Sequence, residues 1–154
     1  MKKLEQNKKN NKGFSLVELI VVIAIMIVLV AVLAPVFTKY VEQSRRATDV
    51  QNANTIASAI LVDVADGSEK VKSGELTEVT ETESLKSVPK VKGKVSESND
   101  AKFYYGYSAT DNTVKVYVGN DTTKDWSGDL TDDAYAANYK NNTDKVSTTK
   151  LTVK

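Results

Sequence analysis

Between Phe14 and Phe37 the sequence holds one charge, Glu18, in 24 residues that are otherwise almost wholly apolar. At about 1.5 Å of rise per residue such a helix spans a hydrocarbon layer of about 30 Å. The run is a membrane-span candidate. The segment ahead of it, residues 1–13, carries five lysines and one acid, a net charge of +4. By the positive-inside tendency the N-terminus belongs in the cytoplasm and the remainder of the chain outside. The remainder has 16 basic and 19 acidic residues, so its charge is small and mixed. Nothing there forms the basic stripe of a nucleic-acid surface, and no nucleic-acid partner is inferred.

The 154-residue chain has no cysteine and no histidine. That removes disulfides, thiolate nucleophiles, imidazole bases and nearly all zinc sites. The sequence therefore reads as a non-enzyme without a cofactor, its exported part held by a hydrophobic core alone.

Three readings compete for the oily run. A cleavable secretory signal has the right order of basic and apolar parts, with small residues near Val32-Leu33-Ala34. The stretch is long for that role, Glu18 interrupts its start, and Pro35 stands where cleavage would fall. A single-pass anchor explains Glu18 locally: Ser15-Leu16-Val17-Glu18 is an S-x-x-E capping box ahead of an apolar run. The carboxylate then also meets the positive end of the helix dipole, worth up to about 1 kcal/mol.

The third reading accounts for more of the segment. Lys12-Gly13-Phe14-Ser15-Leu16-Val17-Glu18 and the apolar residues after it resemble the class III signal of type IV prepilins and of the related pseudopilins of type II secretion. The absence of cysteine is similar to the disulfide-free, Gram-positive-like major pilins. The resemblance covers about residues 8–60. It implies cleavage between Gly13 and Phe14 by a prepilin peptidase, N-methylation of the new Phe14 amine, and a proline where Pro35 stands. It also implies a filament of many copies, extracted from the cytoplasmic membrane by an assembly ATPase and its membrane platform.

Glu18 has a physical role in that setting. A lone carboxylate at mid-membrane costs about 2.5–3.5 kcal/mol, and it needs a cation once the helix enters an apolar bundle. Removal of the leader exposes an α-amino group at Phe14 with a reference pKa near 8, mostly charged at neutral pH. One copy's Glu18 can pair with a neighbour's Phe14 amine; pairing within one helix is the rival arrangement. Pro35 lacks an N–H and is predicted to kink or open the helix near Ala31.

Beyond Phe37 the chain turns polar without a break, and Val50, Ala53, Ile56, Ala57, Ile60 and Val64 recur at helical spacing. One helix is predicted from about Phe14 to Ala65, ending at Gly67. Arg45-Arg46, between Glu42 and Asp49, reads as a solvated face with local ion pairs, with lipid headgroups or a neighbouring subunit as the sharper alternative. Four parts follow: a leader (1–13), a membrane or filament-core helix (14–37), its amphipathic continuation (38–65) and a head (66–154).

Within the head, residues 66–101 form a connection with a short helix predicted over Glu75–Lys86, and the sheet and C-terminal loop occupy 102–154. Phe103, Tyr105 and Tyr107 alternate with Tyr104, Gly106 and Ser108, and a turn at Asp111-Asn112 leads into Val114, Val116 and Val118: an antiparallel hairpin. The valines and the first tyrosine stripe should cover the helix, with Tyr104 and Tyr117 facing away. Asp121, Asp125, Asp129, Asp132 and Asp133 offer hard oxygen ligands of the kind calcium prefers, without EF-hand spacing; a hydrated acidic loop is the favoured reading. Trp126 should anchor that loop. Val146, Leu151 and Val153 suggest a last edge strand. The fold class expected is α+β, a long N-terminal helix packed on a three- or four-stranded antiparallel sheet. The function expected is a pilus subunit serving adhesion, twitching motility or biofilm formation. The alternatives are a pseudopilin of a secretion or competence system and a monomeric membrane-anchored binding module.

Overall fold

The computed structural model describes residues 13–95, 100–120 and 125–141. The chain divides into two units at Thr38/Lys39. In the first, the helix α1 begins at Leu16, and the side chains from Phe14 to Phe37 are exposed throughout. None of the most apolar 18-residue window is buried. α1 runs Leu16–Ala65 with Pro35 inside it, where the Pro35 carbonyl accepts the Thr38 hydroxyl at 3.0 Å.

The second unit holds the end of α1, four strands and a short helix: β1 (Leu76–Glu78), β2 (Lys102–Ser108), β3 (Thr113–Asn120), β4 (Asp125–Trp126) and α2 (Asp133–Lys140). α1 stops at a Schellman turn. Gly67 adopts φ +78°, the Gly67 N–H donates to the Val64 carbonyl at 3.0 Å and the Ser68 N–H to the Asp63 carbonyl at 2.9 Å. Only glycine takes that conformation cheaply, so helix and loop part there.

The strands form one antiparallel sheet in the order β1-β2-β3-β4. In the β2–β3 register Phe103 opposes Val118, Tyr105 opposes Val116 and Tyr107 opposes Val114. These pairs share one face, and they join Val50, Ala53, Ile56, Ala57 and Ile60 of α1 in the core. Ile56, Ile60, Val116 and Val118 are fully buried, each worth about 1.5–3 kcal/mol relative to exposure. The hairpin turn is set by Asn112, whose φ of 49° lies in the left-handed region that asparagine tolerates. The architecture is thus α+β, a long apolar-headed helix whose later part packs on a four-stranded antiparallel sheet.

The opposite face is covered too. Tyr104 and Tyr117 face away from α1 but are buried, and Trp126 meets Tyr104 edge-on with ring centroids 4.8 Å apart. Gly119 lies beneath the indole, since a Cβ there would come within 2.2 Å of Trp126 Cε3. Burial, then the nearby Asp129 charge, pushes the Tyr117 phenol up to about 12.

Two expectations for the head are corrected. Glu75–Lys86 is not helical: Leu76–Glu78 is β1, pairing with Gly106–Tyr104, and the Val79 N–H donates to the Phe103 carbonyl at 2.9 Å. An open hydrogen-bonding edge on β2 outweighs the helix propensity of a short segment. The stretch read as an acidic loop supplies both β4 and α2. The edge strand expected at Val146, Leu151 and Val153 lies outside the described residues.

Candidate functional site

The start of α1 is built from its own first turn. The Ser15 N–H donates to Glu18 Oε2 at 2.8 Å, one arm of a capping box, and the Leu19 N–H donates to the Ser15 carbonyl at 3.2 Å. Glu18 is the acid of that turn and sits where the helix dipole is positive. Its Oε1 takes no part in the cap. Phe14 is 92% exposed, and nothing lies within 4 Å of a Cβ built on Gly13. The Gly13–Phe14 bond sits just before the helix, in exposed backbone. Gly13, Phe14 and Glu18 fall within one short stretch, whereas Pro35 stands about five turns further along α1. Lysines 2, 3, 8, 9 and 12 of the leader lie outside the described residues.

The chain at this point has a basic leader, a Gly–Phe junction, a carboxylate on the first turn and an exposed apolar helix long enough to cross a membrane. Residues 8–34 match the family model described as the prokaryotic N-terminal methylation motif. This is the class III signal of type IV pilins and pseudopilins. A signal of this class is the substrate of prepilin peptidases. The apolar helix that follows the signal is long and apolar enough to anchor a precursor in a membrane. No curated protein and no solved structure matches the chain.

A second constellation, in the head, escaped the sequence reading. Arg46 is buried, not solvated. Its guanidinium donates from Nε to Glu42 Oε1 at 3.1 Å, from Nη1 to the Tyr139 carbonyl at 3.1 Å and from Nη2 to the Lys94 carbonyl, and Cζ lies 4.7 Å from the Tyr139 ring centroid. Asp49, fully buried, accepts the Lys92 N–H at 2.8 Å, the Gly93 N–H at 2.7 Å and the Tyr139 hydroxyl at 3.1 Å. Burial raises the Asp49 carboxyl above its ordinary value; the Lys92, Gly93 and Tyr139 hydrogen bonds offset part of that rise, and the Glu42 charge adds to it. The Arg45 side chain is exposed, as expected for both arginines. What separates them is what each meets: Arg46 lies against Tyr139 and the 92–94 segment, which cover it, and the exposed Arg45 has no such cover among the described residues.

The cluster ties the segment 92–94 and the end of α2 to α1. Its Arg46, Asp49 and Tyr139 are buried and hydrogen-bonded, which is the behaviour of a structural polar core. Asp63, one of the same stripe, is held differently. Burial would raise its carboxyl, but hydrogen bonds from Ser84 and Thr82, with the Lys70 charge, lower it below 3.8.

The acidic run reads as turn chemistry. Asp129 Oδ1 accepts the Thr131 N–H at 2.9 Å, the Thr131 hydroxyl at 2.6 Å and the Val116 N–H at 3.3 Å. Asp132 is the N-cap of α2, accepting the Tyr135 N–H at 2.8 Å, and Asp133 lies in its first turn. Asp125 is in β4, and Asp121 lies outside the described residues. Among the described residues no group of three or more acids is placed to hold a metal ion. The Asp-x-x-Tyr cap before an alanine-rich stretch was the signal for α2.

Proposed function

We propose that the chain is the structural subunit of a type IV pilus, cleaved between Gly13 and Phe14 and assembled through its apolar helix. The observation that carries this reading is Glu18, a carboxylate at the mouth of an exposed oily helix with one oxygen engaged by its own Ser15 N–H and the other free. A single-pass anchor needs the cap alone. A filament needs a second partner for the carboxylate, and leader removal supplies one in the charged Phe14 amine of the adjacent copy. Oily side chains exposed along the whole run favour lateral packing of helices, whose exchange of lipid for protein neighbours is nearly neutral in hydrophobic energy. An assembly ATPase and platform in the cytoplasmic membrane supply the work, with the N-terminus on the cytoplasmic side. Pro35 loosens the helix by removing one backbone donor. Adhesion, twitching motility and biofilm formation are the activities such a fibre serves.

The test is N-terminal sequencing and mass measurement of protein sheared from the cell surface. Long fibres whose subunits begin at methylated Phe14 support the pilus. Processed protein confined to the cell envelope identifies a pseudopilin instead, and an unprocessed monomer leaves only a tethered module.

A further inference from the structure

β1 is the outermost strand of the sheet, and among the described residues nothing pairs with its far side. The Val79 N–H is spent on the Phe103 carbonyl, so the alternation of an antiparallel ladder turns the N–H and C=O of Leu76 and Glu78 outward. Residues 78–81 border an open groove of about 720 Å³ that residues 88–91 and 100–103 also line. Its apolar lining is Val79 and Phe103, both buried, with the half-buried Val88, Pro89 and Val91. Residues 88–91 form neither helix nor strand, and among the described residues no backbone hydrogen bond joins them to 78–81. A vacant strand edge beside an apolar groove is a template for one more strand.

The chain carries a strand that fits. Of the head's stretches outside the described residues, 96–99 and 121–124 hold no apolar side chain, whereas 142–154 holds Val146, Leu151 and Val153. Leu151 and Val153 alternate with Lys150, Thr152 and Lys154, the period that sets two apolar side chains on one face of a strand. Charge agrees. Residues 75–83 hold Glu75, Glu78, Glu81 and Glu83 and no basic residue, while 142–154 holds Lys145, Lys150 and Lys154 against Asp144. Glu78 pairs with Lys102 and Glu83 with Lys86, but among the described residues no ion pair involves Glu75 or Glu81. Lys90 also lines the groove, so incoming lysines belong on the β1 side of it. Reach agrees as well. The carbonyls of Tyr139, near the end of α2, and of Lys94 both accept from the Arg46 guanidinium, and Val91 is three residues from Lys94. Asn141 therefore stands within about 20 Å of the groove, and residues 142–149 span up to about 27 Å when extended.

We propose that the groove beside β1 is the docking site of the chain's own residues 150–154, which add a fifth strand along the outer edge of β1. Leu151 and Val153 enter the groove beside Val79 and Phe103, and the flanking lysines meet Glu75 and Glu81. The added strand takes up the outward N–H and C=O groups of Leu76 and Glu78 and closes an edge that would otherwise accept a foreign strand. The proposal concerns the head alone and holds whichever assembly the chain enters.

The test is amide hydrogen exchange of the full chain in detergent micelles, read at Leu76 and Glu78. Both amides should be protected, and Leu151→Asp with Val153→Asp should speed their exchange about tenfold or more while the β3 amides stay unchanged. Should the paired substitution unfold the head, Thr152→Pro, which removes one backbone donor alone, gives the same readout. Fast exchange at Leu76 and Glu78 in the unaltered chain overturns the proposal, as does protection that neither variant changes. Carbodiimide coupling, which joins a lysine to a carboxylate only on contact, should link Lys150 or Lys154 to Glu75 or Glu81. In a mixture of isotope-labelled and unlabelled chain these links should fall within single chains; links between labelled and unlabelled copies mark a second copy as the occupant and overturn the proposal. A shift of Trp126 emission in a variant whose Leu76 and Glu78 exchange is unaltered places the tail on the aromatic face instead and likewise overturns it.

Discussion

Gly93 lies against Arg46 with no room for a methyl group between them: a Cβ at position 93 would stand 2.6 Å from Arg46 Cγ. The same atom would come within 2.8 Å of Asp49 Oδ2 and 3.0 Å of the Tyr139 hydroxyl, so three members of the buried cluster converge on one glycine. Gly93→Ala should therefore cost about 1–3 kcal/mol, the range for overpacking a filled interior. The urea midpoint of the detergent-solubilised chain measures it, and an unchanged midpoint would show that the cluster yields freely.

The two buried carboxylates of α1 respond oppositely to pH. Asp63 is lowered from 3.8 in the fold, so its contribution to stability is complete above that value and is lost as pH falls through the folded value. Asp63→Asn should cost about 1–2 kcal/mol at neutral pH and converge on the wild type in acid. Asp49 is raised by burial, so its contribution is complete below 3.8 and is lost as pH rises through the folded value. The gap between wild type and Asp49→Asn should narrow as pH rises. Urea midpoints across the acid range decide both, and parallel pH profiles for the two variants would contradict the assignment.

Gly119→Ala drives a methyl group into the Trp126 ring, 2.2 Å from Cε3. Trp126 is the single tryptophan of the chain, so its fluorescence reports β4 without interference. Emission should shift to the red as the indole leaves its buried site beside Tyr104, with about 1–3 kcal/mol of stability lost. Unchanged emission would mean that the sheet moves and the indole stays.

Glu18→Ala removes both the cap on Ser15 and the partner offered to a neighbouring Phe14 amine. We expect the variant to be inserted and cleaved normally while sheared fibre yield falls about tenfold or more. Glu18→Gln keeps a carbonyl oxygen for the cap and loses the charge, so it separates the two roles. Normal fibres from Glu18→Gln would assign the residue to capping alone.

The elements most legible in the sequence were those whose period is long enough to be unambiguous. The six-residue stripe from Val50 to Val64 and the alternation from Phe103 to Val118 each define a buried face, and the structure joins them in one core. Leu76–Glu78 was illegible because three residues carry no period, and their conformation is decided by the β2 edge. Arg46 was misread for a different reason. Composition marks an Arg-Arg pair as solvated, and a carbonyl at Tyr139 that is 93 residues away helps to make one of the two a core residue. At the N-terminus, the cap between Ser15 and Glu18 was legible because its partners are three residues apart.

The outer edge of β3 has a consequence for crowding. Its Val118 N–H is taken by the Ser127 hydroxyl and its Val116 N–H by the Asp129 carboxylate, while the Ser127 and Leu130 amides occupy the Val118 and Val116 carbonyls, all but one of these bonds at 2.8 Å. At Val116 and Val118 side chains thus stand in for a further strand and leave no vacant ladder there for a stranger to zip onto. In the fibre proposed above, heads crowded at very high local density would be shielded at these positions from cross-β growth, and ordered association would be left to the oily helices.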